Sequence, residues 1–372
     1  MKTLKKIEKF NEERLESLLA PVWNTCEITE ETGVLVGADG AITLLGQPVQ
    51  GTVTVKNIFG DVLYEDGVDY TVDGNQIKRV QGGDLPYFEV DDYFRKTPNA
   101  HIILRANPDT VEFSFPEERY IYFGEGATCI DRYITVSYQL EKPLAQDFIV
   151  GDARVKAFAK TLQDKKKAKI LLYGDSITVG CNATGTQYGG NVSPYQPDWN
   201  TLMKLYLQKK YSAEIEVCNQ AVGGWNSING IDSFEEKCGA EVATADLFCI
   251  GFGANDIHTE PEHFQRNIKG LIDRYLQANP NGNVLLYSTL LPNSQTIGWR
   301  VNQPLFEQVL IDLANQYDNV GVAKISSTFL WLESQGKKTR DLLANSVNHP
   351  NDFGVRIYAQ VLLKTLLGEE FL

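Results

Sequence analysis

Two hydrophobic periods divide the chain. From about Gly33 to Tyr138, apolar and polar positions alternate over short runs, at Gly51–Val55, His101–Leu104, Val111–Phe115 and Arg132–Tyr138. Alternation turns one face of a strand to a core and the other to water. Asp39-Gly40, Asp66-Gly67 and Asp73-Gly74-Asn75 lie between these runs; Gly tolerates positive φ, and Asp and Asn bond their own backbone, so such clusters make turns. With no good helical window among them, the runs predict an all-β module of sandwich or jelly-roll-like type. Ahead of it, Leu4, Ile7, Phe10, Leu15 and Leu18 recur at roughly helical spacing among Glu and Lys, which predicts an amphipathic helix packed on the body.

After about Ala153 the period changes. Lys169–Tyr173, Leu247–Ile250, Val284–Tyr287 and Val320–Ala323 are short continuous apolar runs of the kind buried on both faces. Helix-like stretches separate and flank them: Ala153–Leu162, Thr201–Lys210, Glu262–Ala278, Gln303–Tyr317 and the amphipathic Phe353–Leu367. This is the pattern of an α/β fold, a parallel sheet covered on both sides. The chain is therefore expected to divide into 1–150, a helix plus a β accessory domain, and 151–372, an α/β domain. In such sheets ligands bind beyond the carboxyl ends of the strands, and each polar motif considered below follows a strand end.

Composition narrows the function. A formal net charge of −13 disfavours nucleic acid, whose phosphates such a surface repels. Cys26, Cys129, Cys181, Cys218, Cys238 and Cys249 form no Cys-x-x-Cys pair and no metal-ligand spacing with the four histidines. They read as small buried hydrophobes in a reducing compartment, and no metal or cofactor is indicated. The basic N-terminus leads into no apolar run, and no stretch has the length needed to span a bilayer. A cytoplasmic address with no membrane partner is the expectation; a homo-oligomer remains open.

Candidate chemistry begins at Tyr173-Gly174-Asp175-Ser176, directly after a buried strand. A serine at a strand-to-loop turn presents its hydroxyl beside backbone N–H groups, but it needs a base to become a nucleophile. Alone, Asp-Ser is as readily a helix cap. Three later segments alter that weighing: Val217–Asn226, which contains Gly223-Gly224; Ile250–Ile257, with Gly253-Ala254-Asn255-Asp256; and Val347–Gly354, with His349 before Pro350. A glycine amide and an Asn side chain are suitable donors for a developing oxyanion.

These four segments, in this order, resemble the SGNH (GDSL-type) hydrolase family over about residues 169–367. The resemblance implies a three-layer, flavodoxin-like α/β fold and a serine esterase. It implies Ser176 as nucleophile, His349 as general base, and an oxyanion hole from the Ser176 amide, Gly224 (with Gly223 as the alternative) and Asn255. One position departs from the family pattern: the Asp expected three residues before the His is Ser346, preceded by Asn345. A dyad is then open, with a backbone carbonyl, Ser346 or Asn345 orienting the imidazole, or Asp341 or Asp352 substituting. Asp175 is expected to brace the nucleophile turn. His258 and His263 read as surface or rim residues.

The segment from Cys181 to Trp199 is polar, unlike an apolar lipase lid. Tyr188, Tyr195, Trp199 and Trp225 are candidate faces for a sugar ring, or alternatively anchors of a long loop. The β module is loosely similar to accessory domains beside SGNH carbohydrate esterases, although packing or oligomerisation is an equal reading of it. The expected substrate is a small-molecule or oligosaccharide ester, acetyl above all. A lysophospholipase or short-chain lipase, and a non-catalytic carbohydrate-binding protein on the same scaffold, are the alternatives.

Overall fold

The computed structural model describes residues 1–95, 112–113, 119–124, 127–186, 191–296 and 298–371. In its second half, five strands form one parallel sheet in the spatial order Glu214–Asn219, Lys167–Gly174, Leu247–Gly251, Asn283–Tyr287 and Val320–Ala323. Numbered along the chain that order is 2-1-3-4-5, the flavodoxin-like arrangement, whose switch point lies between the first and third strands. The apolar runs are continuous because successive side chains enter different cores. Ile170 and Leu172 join the cluster of Leu202, Tyr206 and Tyr358, while Leu171 and Tyr173 join that of Phe248, Ile268 and Phe306. A strand with both faces buried has no polar positions to alternate with.

The first half carries antiparallel β sheets. A five-stranded sheet runs Lys2–Thr3, Val62–Tyr64, Thr54–Asn57, Tyr133–Gln139, Glu27–Val34, and a three-stranded one runs Ala41–Thr43, Gln76–Arg79, Tyr70–Asp73. The alternating run at His101–Leu104 lies outside the described residues, and of Val111–Phe115 only Glu112–Phe113 is described, as a strand. The N-terminal helix is shorter than its spacing predicted: Lys2–Thr3 pairs with Val62–Leu63, and helix begins only at Glu12–Arg14 and Leu15–Leu19. The apolar residues before it are used by strand pairing and by contact with the body; Ile7 lies within reach of Gly60.

One buried cluster runs through both halves, from Leu15, Ile28, Leu44 and Ile134 to Ile170, Leu202 and Tyr358. Its consequence is plainest at the last helix, Asp352–Leu367, which is buried on almost every side rather than amphipathic. The outer face that a lone α/β domain would leave in water is covered by the N-terminal half. Polar residues on that face are accordingly bonded across: Arg356 donates to the carbonyls of Thr29 and Glu30, and Gln360 to those of Leu18 and Ala20. Lys337 and Glu31 form an ion pair at 2.6 Å with both side chains wholly buried. Glu31 also accepts from the Tyr138 hydroxyl and the Leu45 amide. Among the described residues no helix is long and apolar enough to cross a membrane.

Candidate active site

Ser176 opens a single helical turn, Ser176–Val179, at the carboxyl end of Lys167–Gly174. Asp175 caps that turn, its Oδ1 accepting the Ile177 amide at 3.0 Å. The turn is packed too tightly for any residue but glycine at 174, where a Cβ would lie 2.2 Å from Thr178 Oγ1 and 2.3 Å from the Gly251 carbonyl. Three of its carbonyls are paired: Trp199 Nε1 donates to Ile177, Asn219 Nδ2 to Thr178, and the Cys181 amide to Ser176. Such satisfaction is what allows so short a helix to persist in a buried place.

His349 arrives from the far end of the chain on a loop held by its own side chains. Asn345 Oδ1 accepts the backbone amides of Val347, Asn348 and His349 at 3.1, 2.9 and 3.0 Å. Ser346 takes a left-handed conformation at φ +65°, and Asn293 bonds the loop twice, through Ser346 O and Val347 O. The imidazole so placed has Nε2 2.8 Å from Ser176 Oγ and Nδ1 2.7 Å from Asn182 Oδ1. All three side chains are buried, Asn182 to 1% exposure.

Two further strand ends flank the serine. The Val222 amide donates to Gly174 O, extending the ladder toward Gly224, and the Asp175 amide reaches Gly251 O on the other side. The two flanking loops are tied to each other. Asn255 Nδ2 donates to Trp225 O at 2.9 Å, and Asp256 accepts both the amide and the hydroxyl of Ser227. Gly224 has φ +81° with open space where a Cβ would sit, so glycine is required there by conformation rather than by crowding. Burial dominates the acidic groups of the site: it pushes Asp175 up to about 7 against the pull of the Ile177 amide and of His349. It also raises Asp256.

This arrangement can pass a proton from a buried hydroxyl to an imidazole. Comparison with known proteins places the scaffold: the family model of GDSL-like lipase/acylhydrolases matches residues 172–357, half of the chain. The chain belongs to the GDSL-like lipase/acylhydrolase family. No curated protein matches it. Among solved structures it is similar to a variant of the acetylxylan esterase Axe2 from Geobacillus stearothermophilus, at 20% identity over 54% of this chain and 95% of that one, with a TM-score of 0.44. It is also similar to a two-domain esterase (CEX) active on acetylated mannans, at 20% identity over 56% of this chain and 52% of that one, TM-score 0.44.

Against the GDSL-type pattern, the imidazole has an unforeseen partner. The structure puts Ser346 Oγ 3.7 Å from Cys129 Sγ and commits Asn345 Oδ1 to the loop backbone. Asp341 Oδ1 accepts the Val34 amide, and Asp352 accepts the amide and hydroxyl of Thr184. Those contacts correct the expectation that one of these four orients Nδ1; Asn182 stands there instead. No family spacing marks it. Only the structure shows Asn182 at φ +69° two residues after the helix-ending Gly180, a conformation that Asn is among the few residues to tolerate.

Of the two readings of the rim aromatics, Trp199 follows the loop-anchor one. Trp199 is fully buried, its indole hydrogen-bonded beneath the Ser176 turn and its ring against Tyr287 and Tyr358. It is a core residue and no part of a binding face; helical placement at Trp199–Tyr211 turns it inward. Tyr188 lies outside the described residues. Tyr195 and Trp225 are half-buried, Trp225 beside Gly224 with its ring edge-on to Tyr173. Much of the loop's polarity is spent internally: Thr184 and Gln196 bond Asp352, and Ser193 bonds Phe59 O. His258 and His263 are exposed. Among the described residues no group of three or more His, Cys, Asp or Glu is placed to hold a metal ion.

Proposed function

We propose that this family member is a serine carboxylic-ester hydrolase acting through an acyl-enzyme on Ser176, with short acyl esters of carbohydrates, acetyl above all, as substrate. The observation that carries the reading is the 2.8 Å contact of Ser176 Oγ with His349 Nε2 at the sheet's switch point. His349 Nε2 takes the hydroxyl proton as Oγ bonds to the ester carbonyl carbon. The negative charge passes to the carbonyl oxygen, which the amides of Ser176 and Gly224 and the Asn255 side chain serve. The Nε2 proton then goes to the alcohol oxygen as the C–O bond breaks, leaving acyl-Ser176. Water, deprotonated by Nε2, attacks the acyl carbon; the intermediate collapses as Nε2 returns that proton to Ser176 Oγ, and the carboxylic acid leaves and ionises in solvent.

Support for a carbohydrate acceptor comes from the half-buried Trp225 beside Gly224, with Tyr195 on the loop that follows the nucleophile. Aromatic faces of this kind suit the C–H face of a pyranose, and they leave its hydroxyls to polar neighbours. Hydrolysis of a chain-length series of aryl esters, beside acetate release from acetylated xylo- and manno-oligosaccharides, tests both levels. Wild type is expected to favour acetyl and to release acetate, while Ser176→Ala loses turnover and fluorophosphonate labelling. Equal rates for wild type and Ser176→Ala would sink the nucleophile, and preference for C8 or longer chains would point to a lipase or lysophospholipase. Oligosaccharide binding without labelling would point to a non-catalytic binder.

A further inference from the structure

The residue on the far side of the imidazole has chemistry that constrains the reaction. We propose that Asn182 is the positioning residue of His349: its Oδ1 accepts Nδ1–H and thereby selects the tautomer in which Nε2 is a base toward Ser176. The inference rests on the Ser176–His349 reading above. An amide oxygen only accepts, so at 2.7 Å it requires the ring proton on Nδ1. The opposite amide orientation would offer N–H donors to Nδ1 and drive the proton to Nε2, where it would face the serine and leave no base.

Local backbone explains how one turn carries both partners. Gly180 at φ +95° and Asn182 at φ +69° reverse the chain after a single helical turn, and the Cys181 amide closes on Ser176 O. Ser176 and Asn182 thus grip the ring from opposite sides, though only five residues separate them. Asp175 is the charged group whose field reaches His349, and the buried charges on neighbouring elements are engaged elsewhere. Asp175 holds the Ile177 amide, Asp352 holds Thr184, Asp341 holds the Val34 amide, and Asp256 holds Ser227. Arg340 lies over the Tyr93 ring, and Arg356 bonds Thr29 and Glu30 carbonyls.

The test has two independent arms. Histidine-selective ¹⁵N NMR on the whole wild-type protein, with only four histidines to assign, is expected to find neutral His349 protonated on Nδ1. In Asn182→Ala the two tautomers should mix. A wild-type His349 protonated on Nε2, or a tautomer unmoved by Asn182→Ala, would overturn the proposal whether or not an ester is turned over. Kinetically, Asn182→Ala should lower kcat by about 10- to 100-fold with KM within about twofold, a smaller loss than removing a charged triad carboxylate gives. Asn182→Asp should keep turnover at alkaline pH and move the acidic limb of kcat/KM to higher pH, since a carboxylate at Nδ1 favours the imidazolium. A merely structural Asn182 would move melting temperature but neither the tautomer nor the limb. If wild type proves inactive while the NMR result holds, the esterase reading fails and the positioning role stands.

Discussion

At the scale of single residues, the site combines groups whose surroundings set their roles. Asn255 is fixed by Trp225 O, so its amide is held in place before any substrate enters. Asn255→Ala is expected to lower kcat by roughly 10²–10³-fold, the usual loss for one oxyanion donor, with melting temperature little changed; aryl acetate kinetics beside calorimetry check this. Asp175 makes a second, pH-dependent prediction. Burial raises its carboxyl from the ordinary carboxylate value to about 7, so between about pH 4 and 7 the folded state binds more protons there than the unfolded chain. Stability due to this group therefore falls as pH rises through that window. Asp175→Asn keeps an oxygen for the Ile177 amide and removes the titration. Its melting temperature should decline less than that of wild type from pH 4.5 to 7.5, and parallel pH profiles would contradict the assignment.

At the scale of elements, His349, the proposed base, is delivered by a loop rather than by a helix or strand. The three amides gathered by Asn345 are those of Val347, Asn348 and His349 itself. Replacing Asn345 by Ala strands these donors in a buried loop, at about 1–3 kcal/mol for each that finds no other partner. Asn345→Ala is expected to lose stability by that order in denaturant titration and to lower kcat more than it changes KM. The same elements show how legible the sequence was. The strands at 167–174, 247–251, 283–287 and 320–323 were readable because two-sided burial leaves an unbroken apolar run. Asn182 was not readable, because its role follows from a loop reversal that carries no periodicity. Trp199 stayed open between sugar face and loop anchor because a Trp at the end of a polar loop says nothing of which way the following helix turns it; the structure makes it an anchor.

At the scale of the molecule, the two halves share one core. The antiparallel half bonds the last helix and the segment around 337–341 through Arg356, Gln360, Thr32 and Lys337. Lys337→Met would leave Glu31 as an uncompensated buried charge, and breaking one side of such a pair costs about 3–5 kcal/mol. That loss should appear in urea unfolding, and adding Glu31→Gln in the same chain should recover part of it. Calorimetry of the full chain is expected to give one cooperative transition; two separated transitions would mean that the shared cluster does not couple the halves.

The order of strands and helices along the chain and the motifs after the strands at 167–174, 214–219 and 247–251 were determined by the sequence, since each rests on local periodicity or on residue type at a turn; the pairing of Ser176 with His349 was implied by the resemblance to the GDSL-type family. The tertiary structure alone decided what stands behind the imidazole and what covers the last helix. Both depend on contacts between distant segments, and hydrogen-bond geometry, unlike hydrophobic period, leaves no repeat in the chain to read.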